Sequence, residues 1–402
     1  MRCTTDVNSS TMNGMHRQVI YRLRPGSRGM ASRLDGVMQA CRFVWNKVLS
    51  ENEEDMLLHE MYGVEKPSTS FFALGKRMPG LRREHPWLSE QPFGVVRYSL
   101  KYQSEAWSRY FKGQGGHPRF KRWNDTFTIP QDIRIRSGRL WIPKLGWVQI
   151  VGSNPYPDGD PVKVVVKREL GRYYATVCYS VPDEEPEDNG LSIGIDLNHA
   201  SRAVACSTGQ IMPFTDVNRL EARKKRYQRM MSRRKKGSGR RAVARYRKAK
   251  TERKLRNVRK NWQHHVSRCL ADTAGLVCHE ALKVKAMSRK GRGKHGLNRE
   301  NLKPGWGGLL AKIGYKAAST VAVNPSGTSV SCAGCGARGE RRRTVFRCEC
   351  GYRDHADLNA ARNILASGAG ATGRGEALAL ATSVIRQYMP LRLAASAVNL
   401  SV

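Results

Sequence analysis

Near the C-terminus Cys332 and Cys335 stand two residues apart, and after twelve more residues come Cys348 and Cys350. Four thiols so arranged suit a tetrahedral Zn²⁺, reduced structural cysteines without metal being the alternative, and the one-residue gap in the second pair is expected to strain or re-aim the site. Directly behind them runs Asp357-Leu358-Asn359-Ala360-Ala361-Arg362-Asn363-Ile364, which delivers an acid to a helix start. Two further acids sit near the ends of apolar strand patterns: Asp196 in Leu191-Ser192-Ile193-Gly194-Ile195-Asp196-Leu197, and Glu280 in Gly275-Leu276-Val277-Cys278-His279-Glu280-Ala281-Leu282. Carboxylates converging from separate elements can hold two Mg²⁺ about 3.5–4 Å apart for phosphodiester hydrolysis, one ion activating water and the other stabilising the leaving 3′-oxygen. Asp196, Glu280 and Asp357 are therefore the candidate catalytic and Mg²⁺-binding residues. Their convergence is an expectation, because strand-end acids also serve as caps or solvated turns. His279 and His355 read as strand-end or turn residues, and Trp306 as core.

The charge balance says what such a site would act on. With 71 Lys+Arg against 33 Asp+Glu the net charge is +38, which calls for a polyanionic partner, nucleic acid before any other. Between residues 221 and 260 there are twenty Lys/Arg and two acids, Glu221 and Glu252, a net +18. A solvated charged hairpin is the bland account; phosphate contact is the one we adopt, with Arg223, Lys224, Arg226, Arg233, Arg234, Arg240, Arg241 and Arg245 as the contacts. No membrane partner is expected, since no apolar run approaches the roughly eighteen residues of a spanning helix. The other six cysteines (Cys3, Cys41, Cys178, Cys206, Cys269 and Cys278) are scattered singly, and no cleavable signal peptide opens the chain. Both points suit a reducing cytoplasm.

The elements that must position the acids follow from periodicity. Residues 1–14 are patternless and read as a tail, and a strand follows over 17–23. Leu34, Val37, Met38, Cys41, Val44, Trp45 and Val48 recur at helical spacing, predicting an amphipathic helix over 30–62. A second helix is predicted over 93–111, on Val96, Leu100, Trp107 and Tyr110. Short alternating runs at 125–130, 139–143, 146–151, 161–168 and 172–181, separated by turns such as Ser137-Gly138, predict a small antiparallel barrel interrupted by the helices. An acidic, Pro-bearing linker over 183–190 marks the domain boundary. Beyond it come a hairpin partner over 202–214, two basic helices divided at Gly237-Ser238-Gly239, the Glu280 strand, a basic loop over 288–305 and a helix over 306–318.

In the segments Gly194-Ile195-Asp196-Leu197, Glu280 to Met287, Gly305-Trp306-Gly307 through Ala317, and Thr328-Ser329 through Ile364, the chain resembles the transposon-encoded TnpB (OrfB) family, ancestral to type V CRISPR effectors. The likeness covers nearly all of 191–366 and is fainter in 15–182, where Cys41-Arg42-Phe43-Val44-Trp45-Asn46 carries it. The resemblance implies an α/β plus β-barrel fold. Residues 15–29 and 113–182 would form a wedge barrel, 30–112 a helical recognition insertion, 191–327 and 354–366 an RNase H-like (RuvC-type) nuclease domain, 328–353 an inserted zinc ribbon and 367–402 a tail. It also implies RNA-guided DNA cleavage, with a guide RNA from the element's end and double- and single-stranded target DNA as partners, by a monomer in a bacterial or archaeal cytoplasm at the nucleoid. A nuclease-inactive RNA-guided repressor, a compact type V effector and a strand-joining transposase are the alternatives. The chain departs from the family pattern at Asn198, where Gly is usual, at Ala281, where Asp is usual, and at His355-Ala356-Asp357, which stands where Asp-Arg-Asp is frequent and leaves Asp354 as a substitute ligand.

Overall fold

The computed structural model describes residues 14–182, 186–198, 202–282 and 303–372. The expected tail before residue 14, the segment 283–287, most of the basic loop and the tail beyond Thr372 lie outside them. The chain divides into two compact units, Met1–Glu184 and Glu185–Val402.

The first unit opens with β1 (Gly14–Arg24), followed by helices α1 (Arg28–Tyr62), α2 (Phe71–Gly75), α3 (Met78–Glu84) and α4 (Phe93–Phe111), with a 3₁₀ turn over Pro86–Glu90. Strands β2 (Thr126–Ile129), β3 (Ile135–Arg136), β4 (Arg139–Ile142), β5 (Gly146–Val151), β6 (Asp160–Glu169) and β7 (Arg172–Pro182) complete it. Ser27 starts α1 by accepting the Met30 N–H at its hydroxyl, and Gly63, at φ +65°, ends it in the left-handed conformation. Between these caps Leu34, Val37, Met38, Cys41, Val44, Trp45 and Val48 are all buried. Trp45 Nε1 donates to the Arg119 carbonyl and Asn46 exchanges two hydrogen bonds with the Lys121 backbone. The Cys41–Asn46 motif therefore pins the loop that follows α4. The β-strands form one antiparallel sheet in the order β2-β6-β7-β1-β5-β4-β3. This revises the barrel: β1 pairs with β7 over residues 14–23 and with β5 at its far end, while β2 and β3, the outermost strands in that order, do not join to close it.

The second unit is a three-layer α/β stack. Its strands and helices are β8 (Ser192–Asn198), β9 (Ala203–Cys206), β10 (Ile211–Pro213), α5 (Asn218–Ser232), α6 (Gly239–Thr273), β11 (Leu276–Glu280), α7 (Trp306–Ile313), β12 (Ser319–Val323), β13 (Glu340–Arg342), β14 (Val345–Arg347), β15 (Arg353–His355) and α8 (Ala356–Thr372). Five strands form a sheet in the order β10-β9-β8-β11-β12, in which β8, β11 and β12 run parallel and β9 and β10 antiparallel to their neighbours. Alternation along β8 sends Ile193, Ile195 and Leu197 to one face, where they pack with Trp262, Val266 and Leu270 of α6 and Trp306, Leu309 and Ile313 of α7. Leu276 and Cys278 of β11 face the other way, into a core with Ile364, Leu365 and Ala369 of α8.

Helix α8 lies unusually close to that second face, and two glycines permit it. A Cβ on Gly194 would sit 2.1 Å from the Ala361 carbonyl oxygen and 2.6 Å from the Leu365 nitrogen; one on Gly368 would sit 2.3 Å from Cys278 Sγ. The helix expected over 306–318 ends at Ile313, and β12, just beyond that stretch, was not anticipated. Helix α8 also runs past residue 366, to Thr372.

Candidate active site

The alternation that buries Ile193, Ile195 and Leu197 beneath α6 turns Gly194 and Asp196 toward α8, and the same rule puts Cys278 and Glu280 on the α8 side of β11. Parallel pairing sets Cys278 beside Gly194 and His279 beside Ile195. One residue further along both strands brings Glu280 beside Asp196, at their C-terminal ends, where α/β sheets place ligand sites. Helix α8 starts over this point, and Asp357 in its first turn is 2% exposed.

The electrostatics report the convergence. The Asp196 carboxyl is pushed from 3.8 up to about 7, first by its own burial, then by the charges of Glu280 and Asp357, with Arg341 pulling it back. Burial beside two further carboxylates disfavours the ionised form of Asp196, and a group of acids so placed fits a cation as counter-ion. One cation is supplied by the protein: Arg341 Nη2 on β13 donates to Asp357 Oδ1 at 2.8 Å. Glu280 Oε1 accepts the Thr328 hydroxyl at 2.7 Å. Neither Arg341 nor Thr328 was picked out as a site residue from the sequence. Arg341 hides in the run Glu340-Arg341-Arg342-Arg343; Thr328 stands at the edge of the motif segment that includes the cysteines.

The cysteines converge more tightly than the acids. The Sγ atoms of Cys332, Cys335, Cys348 and Cys350 all lie within 4.8 Å of one another, with Cys332–Cys350 at 3.8 Å and Cys335–Cys348 at 3.6 Å. A sulfur tetrahedron around zinc, with Zn–S near 2.3 Å, has edges of about 3.8 Å, so the thiols present fit that ion. The short Cys348–Cys350 gap is absorbed locally. The Cys348 N–H donates to the Tyr352 carbonyl, the Gly351 N–H to the Cys348 carbonyl, and Gly351 sits at φ +90°, turning the chain so that Cys350 reaches the group. The Tyr352 N–H, then the neighbouring thiols of Cys335 and Cys348, draw the Cys350 thiol down to about 7. This module is stitched to α8 by two asparagines. Asn359 accepts from the Ala333 N–H and donates to the Ser331 carbonyl; Asn363 donates to the carbonyls of Thr328 and Ser331.

Two family models match the chain, almost wholly within the second unit. One described as "Cas12f1-like, TNB domain" covers residues 306–364, the stretch with the cysteines and Asp357, and one described as "Probable transposase" (OrfB_IS605) covers 176–291, with Asp196, Glu280 and the basic hairpin. The chain is 28% identical to an Escherichia coli (strain K12) protein named "Putative RNA-guided DNA endonuclease InsQ", over 89% of this chain and 93% of that one. It is 28% identical to a Streptomyces pristinaespiralis "Putative RNA-guided DNA endonuclease", over 91% and 93%. The chain is thus similar to OrfB (TnpB) proteins over most of its length. Among solved structures, a Cas12f1 chain in a cryo-EM complex with sgRNA and target DNA superposes with a TM-score of 0.53 at 14% identity, covering 84% of this chain and 83% of that one. That likeness concerns the fold.

The chain's departures from the OrfB pattern have local explanations. Asp354, the substitute ligand, is tied to Arg362 and accepts the Tyr352 hydroxyl at 3.0 Å, and it is Asp357 whose charge Asp196 feels. At Ala281 the backbone N–H donates to the Val323 carbonyl, extending the sheet, and Asn198 pairs with Ala203. Trp306 is buried edge-to-face against Trp262.

The hairpin α5–α6 sorts the eight basic residues into two groups. Arg241 donates to the carbonyls of Met231 and Arg234 and Arg234 to that of Arg240, so these two hold the hairpin turn together, while Lys224 pairs with Glu221 at 2.6 Å within α5. Arg223, Arg226, Arg233, Arg240 and Arg245 are exposed. A further basic group was not anticipated. Lys312 and Lys316 of the α7 region bond to Gln263, His264 and Ser267 of α6, and burial with Lys316, Lys312, Lys260 and His265 nearby drives the His264 imidazole down to about 4. Among the described residues no helix is long and apolar enough to cross a membrane.

Proposed function

We propose that this chain is an RNA-guided DNA endonuclease whose RuvC-type centre is built from Asp196, Glu280 and Asp357. The observation that carries the reading is geometric: parallel pairing of β8 with β11 brings Glu280 beside Asp196 where α8 begins with the buried Asp357, and the raised Asp196 carboxyl accords with it. The five-strand order, with an antiparallel hairpin on one side and two parallel strands on the other, supports an RNase H-like domain. Two Mg²⁺ held by these carboxylates would supply the Lewis acidity for water attack and for departure of the 3′-oxygen. The protein's own part is to hold the three acids at one site, to seal their far side with α8, and to bring Arg341 against Asp357. Cys332, Cys335, Cys348 and Cys350 would bind structural Zn²⁺, which shapes the ribbon bearing Arg341. The exposed arginines of α5 and α6 would grip RNA and heteroduplex phosphates, while base pairing with a guide RNA from the element's end selects the target DNA beside a short motif.

A repressor that has lost cleavage is disfavoured because all three acids are present. The guide is tested by purifying the protein from cells carrying its native locus and sequencing the bound RNA. A single RNA species ending in sequence from beyond the element is expected. A random sample of cellular RNA would contradict guided targeting.

A further inference from the structure

Thr328 is 4% exposed where the chain leaves β12 for the cysteine module. Its hydroxyl lies 2.7 Å from Glu280 Oε1 and 3.0 Å from the Pro325 carbonyl. A hydroxyl has one proton to give, and the shorter contact, to the acceptor that ionises, takes the better share. Thr328 is itself held from behind: Asn363 Nδ2 donates to its carbonyl at 2.9 Å and to that of Ser331 at 2.7 Å. Asn363 stands on α8, the helix that carries Asp357. A continuous path, α8 to Asn363 to Thr328 to Glu280, therefore joins the helix bearing one acid to the side chain of another.

We propose that Thr328 is a positioning residue for Glu280: its hydroxyl fixes one carboxylate oxygen, so that the other is already aimed for a divalent cation, and α8 holds Thr328 in place through Asn363. The proposal rests on the reading of Asp196, Glu280 and Asp357 as metal ligands. A glutamate has three side-chain torsions to freeze on binding a metal, and freezing them in advance removes that entropic cost from the binding step. Thr suits the task because its branched β-carbon restricts the χ1 on which the hydroxyl direction depends. Loss of such an outer hydrogen bond typically weakens a metal site by about 10–100-fold.

The test is Mn²⁺ titration of the full-length, zinc-loaded protein, following free Mn²⁺ by electron paramagnetic resonance, with melting temperature and zinc content recorded for each variant. Thr328→Val, which keeps the shape and removes the donor, should raise the Mn²⁺ Kd about tenfold with zinc content unchanged. Thr328→Ser should restore binding to within about threefold of wild type, since it returns the donor. Mn²⁺ binding that Asp196→Asn abolishes but Thr328→Val leaves intact overturns the positioning role alone. Binding that neither variant alters, or none in the wild type, overturns the metal reading of the acids and the Thr328 role with it. Should Thr328→Val lose zinc or its melting transition, Asn363→Ala carries the test: a Kd raised severalfold supports the path from α8, and an unchanged Kd overturns it.

Discussion

Asp196 bears the electrostatic cost of the cluster, and that cost has a sign. Its carboxyl titrates at about 7 in the folded chain against 3.8 for an ordinary aspartate, so between those pH values the native state binds a proton the unfolded state does not. Metal-free stability should fall as pH rises from about 4 to about 7, then level off. Asp196→Asn relieves the repulsion without changing the shape. The metal-free variant should melt higher than wild type at pH 8, by roughly 5 °C, with the gain shrinking toward pH 5; a variant that melts lower at pH 8 would show that the three acids do not repel one another. Asp196 and Glu280 were singled out by residue type near the ends of apolar strand patterns, and Asp357 by its place at a helix start behind the cysteines. Arg341 and Thr328 were not, since an arginine among arginines and a threonine before a cysteine pair have no local signature. Their roles arise from long-range approaches, Arg341 to Asp357 and Thr328 to Glu280.

At the scale of elements, the site depends on how closely α8 lies on the sheet. Gly194→Ala would drive a methyl into the Ala361 carbonyl, a backbone atom that cannot swing aside. It should destabilise the C-terminal unit by about 3 kcal/mol or more in urea denaturation. Gly370→Ala on the same helix has open space around the new methyl, and should be neutral or stabilising by up to about 1 kcal/mol. Equal effects of the two would mean that the close approach is not what holds α8. The exposed arginines of the hairpin make a separate prediction. Replacing Arg223, Arg226, Arg233, Arg240 and Arg245 with glutamine should reduce the salt dependence of RNA binding by about 0.7 log units per lost phosphate contact. The same change at Arg234 and Arg241, which bond to the hairpin backbone, should lower helix stability instead. An unchanged salt slope in the fivefold variant would leave the hairpin as a merely solvated one. Periodicity located α1, α4 and β4 to β7 within a residue or two. It missed α2, α3 and β12: the first two are helices of only five and seven residues, and β12 pairs in parallel with β11, more than thirty residues earlier in the chain. Sheet closure was misread for the same reason, since alternation sets the face of a strand but not its partner.

For the whole molecule, net charge pointed to a polyanionic partner without distinguishing RNA from DNA, and the two-unit division coincides with the shift from short alternating strands to the acid-bearing ones. Residues 186–190, within the stretch expected to be linker, are tied into the second unit: Asn189 accepts the N–H groups of Leu191 and Gly275 and donates to the Thr273 carbonyl. The central claim is that one buried corner of acids cuts DNA chosen by a bound RNA. Its most direct measurement is cleavage of a plasmid matching the bound RNA by the purified ribonucleoprotein in Mg²⁺, comparing wild type with Asp196→Ala. The account predicts cutting of the matched plasmid only, reduced at least 10³-fold in Asp196→Ala as expected for loss of a group central to two-metal hydrolysis, with RNA binding retained. Undiminished cutting by Asp196→Ala, or equal cutting of an unmatched plasmid, would contradict it.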